Sequence, residues 1–301
     1  MKKVFIQMVN QKKFITLVFG IIAVILAIVC SFLFIQAVQK DFDTDIGHFA
    51  KESPYIIASV AIMLGGSVLG LIPALLARGV CLDTKAGAGV AVSFVSVFAG
   101  ALLLASSVFG FVDQGITLPE KYSVLTTVSG VIGCLGAFSM LLFAMQGAYR
   151  SKLAKLFSMF IPLYFILRVL ELYFDTSVAF NSTTKMIAQL AFVAFSLMCV
   201  FDSGLYLGKP SLGKFIFGCT ASIVIGAPLG IAALTAQFTK PGSFAVSVVD
   251  TCMICGFALF AAVKLYHVAR SLTECPADEE EAPETEKENA AEDAAEETDE
   301  Q

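Results

Sequence analysis

Apolar residues gather in eight long stretches, near 14–38, 55–77, 88–112, 123–146, 156–174, 186–207, 212–236 and 245–268. A helix needs about 20 such residues to cross the hydrocarbon of a bilayer. Membrane β-strands would instead alternate apolar and polar residues over about 10 positions. No such alternation is visible, so the pattern predicts an all-α integral membrane bundle of about eight transmembrane helices within residues 1–273. The first stretch follows Lys2, Lys3, Lys12 and Lys13 as a secretory signal would. It is longer than the 7–15 apolar residues of a signal sequence and ends in no small-x-small site, so it is expected to be a retained helix.

Composition agrees. Hydrophobic residues make up 57% of the 301, charged residues only 15%, and mean hydropathy is +0.81. Soluble domains carry roughly 25% charged residues. The net charge of −5 averages two unlike parts. Residues 274–301 hold fourteen Asp/Glu against Lys287, while residues 1–273 carry a net +8. The acidic balance is thus a property of the tail and points to no nucleic acid. That tail has no aliphatic side chain larger than Ala, so it is expected to be disordered. It reads either as a solvating, repulsive segment beside an anionic membrane or as a contact for a basic protein partner.

The loops give an orientation. Thirteen Lys/Arg fall on the side that carries the amino terminus and five on the other. Positive charge is retained on the cytoplasmic side, so both termini are expected there, in a cytoplasmic-type membrane, the plasma membrane. Tyr55, Tyr122 and Tyr173 fall at outer ends and Tyr149, Tyr206 and Tyr266 at inner ends, as amphipathic rings do at interfaces. The longest loop, residues 39–54, is too short for a domain of 50 residues or more. Any chemistry must therefore sit among the helices.

Four ionisable residues lie inside apolar spans: Arg168 and Glu171 in the fifth, Asp202 in the sixth and Asp250 in the eighth. Each costs roughly 2.5–3.5 kcal/mol at a helix centre, so such side chains face the bundle interior and take partners. Arg168 and Glu171 are three apart and share a helix face. By depth, Arg168, Glu171 and Asp250 all belong to the outer half and could meet, with Gln189 joining from the outer end of the sixth span. The cluster is then either a clamp between helices or a solute site. An Arg in an apolar cavity would suit a small anionic solute, because guanidinium binds carboxylates bidentately; the two acids could instead neutralise it or carry coupling protons. Asp202 lies near the inner interface and reads as a helix-end charge, with Lys209 close in sequence.

Glycine and proline cluster in three spans: Gly65, Gly66, Gly70 and Pro73; Gly130, Gly133 and Gly136; Gly226, Pro228 and Gly230. Small residues four apart let helices approach closely, and proline inside a span breaks a backbone hydrogen bond. Broken helices also build transporter sites; close packing is the favoured reading.

Catalytic motifs are sparse. Cys252 and Cys255 form a C-x-x-C that could exchange disulfides if one thiolate were stabilised. No outer loop contains Cys, leaving Cys30 as the one candidate partner, and buried Cys commonly serves as a small hydrophobe. Residues 208–214 fit most of a phosphate-binding loop, but Phe215 stands where Ser or Thr must bind magnesium. His48 and His267 fall at opposite ends of the bundle and cannot share a metal or haem, so no cofactor is expected. Asn181, Ser182 and Thr183 form a glycosylation sequon. The sequence thus predicts a non-catalytic small-solute permease or ligand-binding membrane subunit centred on Arg168, Glu171 and Asp250. The alternatives are a membrane scaffold or sensor that recruits a partner through its tail, and a thiol oxidoreductase using Cys252 and Cys255.

Overall fold

The computed structural model describes residues 2–43, 48–49, 53–77, 80–82, 89–112, 123–144, 156–176, 182–206, 212–239, 244 and 246–274. The acidic tail past Glu274, Asn181 of the sequon, Lys209 and several other loop cations counted for orientation lie outside them. The architecture is an all-helical bundle. Its elements are α1 (Lys2–Asp41), α2 (Pro54–Leu69), α3 (Leu71–Leu76), α4 (Val90–Val112), α5 (Ser123–Ala144), α6 (Phe160–Phe174), α7 (Thr183–Tyr206), α8 (Leu212–Ala221), a π-helical turn (Ser222–Gly226), α9 (Ala227–Thr239) and α10 (Val248–Ser271). Seven helical stretches among the described residues are long and apolar enough to cross a membrane, with α2–α3 and α8–α9 each counting as one. The fifth expected span differs. Its helix α6 has 15 residues, about 22 Å at 1.5 Å per residue, against a hydrocarbon core of about 30 Å.

Two short antiparallel pairings bound the bundle. Phe42–Asp43 (β1) pairs with His48–Phe49 (β2), and Val80–Leu82 (β3) pairs with Leu272–Glu274 (β4). The second pairing has a topological consequence. The chain leaves one face after Leu82 and returns to it at Leu272, which requires an even number of passages. Counting α4, α5, α6, α7, α8–α9 and α10 makes that number even, so α6, short as it is, takes a full place in the up-and-down order.

The spans that carry Pro73 and Pro228 break where proline dictates. The ring of a proline clashes with the carbonyl four residues earlier. For Pro73 that is Leu69, where α2 ends; for Pro228 it is Val224, inside the π turn. A π turn beside a proline is a recognised cause of a kink. The two broken spans pack against each other, α2 and α3 on α8 and the π turn.

α10 is the hub, touching α1, α4, α7, α8, the π turn and α9. Around it, α4 packs on α5, α5 on α6, α6 on α7, and α1 on α2 and α9. The centre is aromatic. Phe165 of α6 meets Phe257 of α10 edge-on at 4.8 Å, and Phe192 and Phe195 of α7 close the group at 5.9 and 5.4 Å from Phe165. Offset and edge-to-face rings are the favoured geometries, and lipid cannot fill such a space better than the rings do.

Candidate functional site

The hub helix carries Asp250, Phe257 and Lys264 at intervals of seven residues. That spacing keeps them near one face, each about 10 Å further along the axis. Asp250 lies at one end of α10, the aromatic group in the middle and Lys264 toward the other end. The interior therefore has two charged layers separated by an apolar one.

The layer at Asp250 joins three helices. Arg168 of α6 reaches Glu171 of the same helix, Nη1 to Oε2 at 2.5 Å, and Asp250 of α10, Nη2 to Oδ2 at 2.5 Å. The i,i+3 spacing produces the first contact; the packing of α6 and α10 around α4 and α5 produces the second. Ser106 of α4 donates to Asp250 Oδ1 at 2.5 Å, and its oxygen lies 2.9 Å from the Tyr164 hydroxyl of α6. The single Ser106 proton is committed to Asp250, so Tyr164 donates to Ser106. The result is a directed chain, Tyr164 to Ser106 to Asp250. Ser247 caps α10 by accepting the Asp250 amide at 3.1 Å. This places the Asp250 carboxylate in the first turn, where the helix dipole favours an anion.

Burial makes these contacts matter. Arg168, Glu171 and Asp250 are 6%, 1% and 5% exposed. Asp250 has both oxygens satisfied. Glu171 has Oε2 engaged, whereas its Oε1 and the Arg168 Nε have no partner at hydrogen-bond distance among the described residues. Ser129 of α5 stands close enough to act on the Glu171 carboxyl without closing a bond to Oε1. The groups acting on Glu171 are Arg168, Ser129 and Asp250, so one cation serves two carboxyl groups. A serine face and a glycine admit this layer. Gly133 of α5 lies directly against Ser107 and the Tyr164 ring, which a Cβ there would meet at 2.7 Å.

Of the sequence candidates, Arg168, Glu171 and Asp250 come together. Gln189 does not: it is half-buried on α7 and makes no hydrogen bond to the cluster among the described residues. Cys252 and Cys255 are half-buried free thiols on α10, with Cys255 packed against Gly230 of α9. Cys30 is a buried free thiol whose Sγ contacts the Ser59 carbonyl at 3.4 Å.

The second charged layer corrects the reading of Asp202. Asp202 is buried, and its carboxylate accepts from Lys264 Nζ of α10 at 3.0 and 3.2 Å. The expectation of a helix-end charge beside Lys209 failed because depth along one helix says nothing of what the neighbouring helix presents. Lys264, counted from sequence as an inner-side cation, is itself buried. Lys185, counted on the outer side, is buried too, and donates to the Asp175 carbonyl at 2.7 Å. Ser106, Ser129 and Tyr164 were also missed. Mid-span serines are ordinary small residues in membrane helices, so nothing in the chain marked them. The fourteen-residue spacing of Asp250 and Lys264, two intervals of seven, was the one available signal that both face a common interior.

A groove of about 220 Å³ lies elsewhere, between α1, the π turn and α10, with an almost wholly apolar lining and none of the charged cluster in its walls. The chain matches no protein-family model, no curated protein and no solved structure.

Proposed function

We propose that this multi-pass membrane protein is a small-solute permease, or the ligand-binding membrane subunit of one, and that Arg168, Glu171 and Asp250 form its polar site. The carrying observation is the buried layer of three ionisable groups, in which Glu171 Oε1 and Arg168 Nε have no hydrogen-bond partner among the described residues. Charge at membrane depth is expensive and marks solute paths and proton relays by default. The charge count bears on the solute. Both terminal nitrogens of Arg168 are taken by carboxyl oxygens, so an anionic solute has to displace an acid, whereas a cation, a proton included, balances the surplus one. The aromatic layer at Phe165, Phe192, Phe195 and Phe257 suits a barrier between this layer and the Asp202–Lys264 layer. The inferred setting is the plasma membrane with both termini cytoplasmic. The lysine bias supports it, and the β3–β4 pairing supports an even number of passages.

A scaffold reading has its own observation. The engaged Arg168 nitrogens and the paired Asp202 and Lys264 are also what a clamp between helices requires. The two readings part in a thermal-shift screen of the detergent-purified protein against cationic, zwitterionic and anionic metabolites. A ligand at 100 times its dissociation constant stabilises by about 2.7 kcal/mol. The permease reading expects one solute class to stabilise wild type and to lose its effect in Glu171→Gln. A well-folded wild type that responds to no class leaves the scaffold, and moves attention to binding partners of the acidic tail.

A further inference from the structure

The apolar groove has a charged mouth, and the two together define a ligand. Its walls include Thr16, Gly20 and Val24 of α1, Ile223 of the π turn, and Leu265 and Tyr266 of α10. Neighbouring α1 side chains Ile21 and Ile25 are both 53% exposed, so the groove opens on the outside of the bundle, where lipid lies. α1 and α10 run in opposite directions here. Gly20 faces Leu265 at 3.4 Å from where its Cβ would stand. Seven residues before Gly20, about 10 Å along the axis, is Lys13; five residues after Leu265, about 8 Å along, is Arg270. Both cations therefore sit at the same end of the groove.

They also share its face. Lys13 precedes Thr16 by three residues and Leu17 by four, and Arg270 follows Tyr266 by four, the spacings that align side chains on a helix. Arg270 Nη1 donates to the Tyr266 hydroxyl at 3.1 Å, with its guanidinium 5.6 Å from the ring centre. Tyr266 thus forms part of the wall and holds a cation at the rim. A guanidinium has five N–H donors, so Arg270 keeps donors for an anionic oxygen. The lysine count places this end at the cytoplasmic surface, where anionic lipids concentrate and basic sites between helices bind their headgroups.

We infer that the α1–α10 groove is a binding site for an anionic membrane phospholipid, one acyl chain lying along Gly20 and Leu265 and the phosphate between Lys13 and Arg270. The site is separate from the Arg168 layer and does not depend on any solute being carried.

The test uses the full chain in a neutral detergent, with phosphatidylglycerol or phosphatidylcholine of identical chains added. Bound lipid is counted by native mass spectrometry and unfolding is followed thermally. Wild type should retain phosphatidylglycerol preferentially and gain more stability from it. A juxtamembrane cation contributes about fivefold in affinity, so Lys13→Gln with Arg270→Gln should erase a preference of roughly 25-fold. Gly20→Phe, which fills the groove, should reduce retention of both lipids while leaving unfolding in lipid-free detergent close to wild type. If Gly20→Phe fails to fold, the surface pair Lys13→Gln and Arg270→Gln carries the test alone. Equal retention of both lipids by wild type overturns the proposal, as does a preference that survives the double charge removal. So does a dimer that Gly20→Phe dissolves, because the groove would then hold a second copy of the chain.

Discussion

Replacing Lys264 by Met isolates the energetics of one buried pair. The substitution keeps chain length and removes the cation, leaving the Asp202 carboxylate with side-chain exposure of 8% and no counter-charge at 3.0 Å. At an effective dielectric of about 20, two unit charges at that distance attract by roughly 5 kcal/mol. Breaking a buried pair by removing one partner costs about 3–5 kcal/mol, because the remaining charge is uncompensated; removing both is often nearly neutral. Lys264→Met should therefore lose about 3–5 kcal/mol of unfolding free energy, and Lys264→Met with Asp202→Leu should recover most of it. The cycle of wild type, two single variants and the double variant should show a coupling of at least about 2 kcal/mol. The assay is unfolding by titrated SDS in one fixed neutral detergent, read by helical circular dichroism. Single losses that add in the double variant to within about 0.5 kcal/mol would refute the pairing. They would also remove the inner charged layer from the architecture.

Arg168→Ala should destabilise more than Arg168→Ala combined with Glu171→Ala, since the single change strands both carboxyl groups and the double change strands Asp250 alone; equal or additive melting losses would count against the cluster. Ser106→Ala withdraws a donor from a buried charge and should cost about 1.5–3 kcal/mol, measured by the same titration; a loss below 0.5 kcal/mol would sink the Tyr164–Ser106–Asp250 chain. Gly133→Val forces two methyl groups against Ser107 and Tyr164 and should cost at least the 1–3 kcal/mol of ordinary overpacking. Gly65, where an added Cβ would meet nothing within 4 Å beyond its own helix backbone and chain neighbours among the described residues, is the control position at which Gly→Ala should change little.

How much was legible in the chain follows from what each inference needed. All eight stretches could be placed from runs of apolar residues, seven as helices long and apolar enough to cross a membrane among the described residues and the fifth as the shorter α6, because hydrocarbon acts on each segment alone and demands the same length of every one. The breaks near Leu69 and Val224 were likewise local consequences of Pro73 and Pro228. The Arg168–Glu171 contact was written in its three-residue spacing, and their meeting with Asp250 was accessible as a matter of shared depth. Lateral neighbours were not. Whether α6 lies beside α10 depends on which ridges, glycines and rings fit together across the bundle, and depth carries no information about angle around the membrane normal. That is why Gln189, at the right height, makes no bond to the cluster, and why Asp202 found Lys264 rather than a residue close in sequence. Serines and tyrosines became site residues only when packing put Ser106 between Tyr164 and Asp250. The chain alone thus determined the apolar character of the bundle's surroundings, the helices and their breaks at proline. Tertiary structure decided the pairings, since a buried charge is satisfied by whichever helix comes alongside.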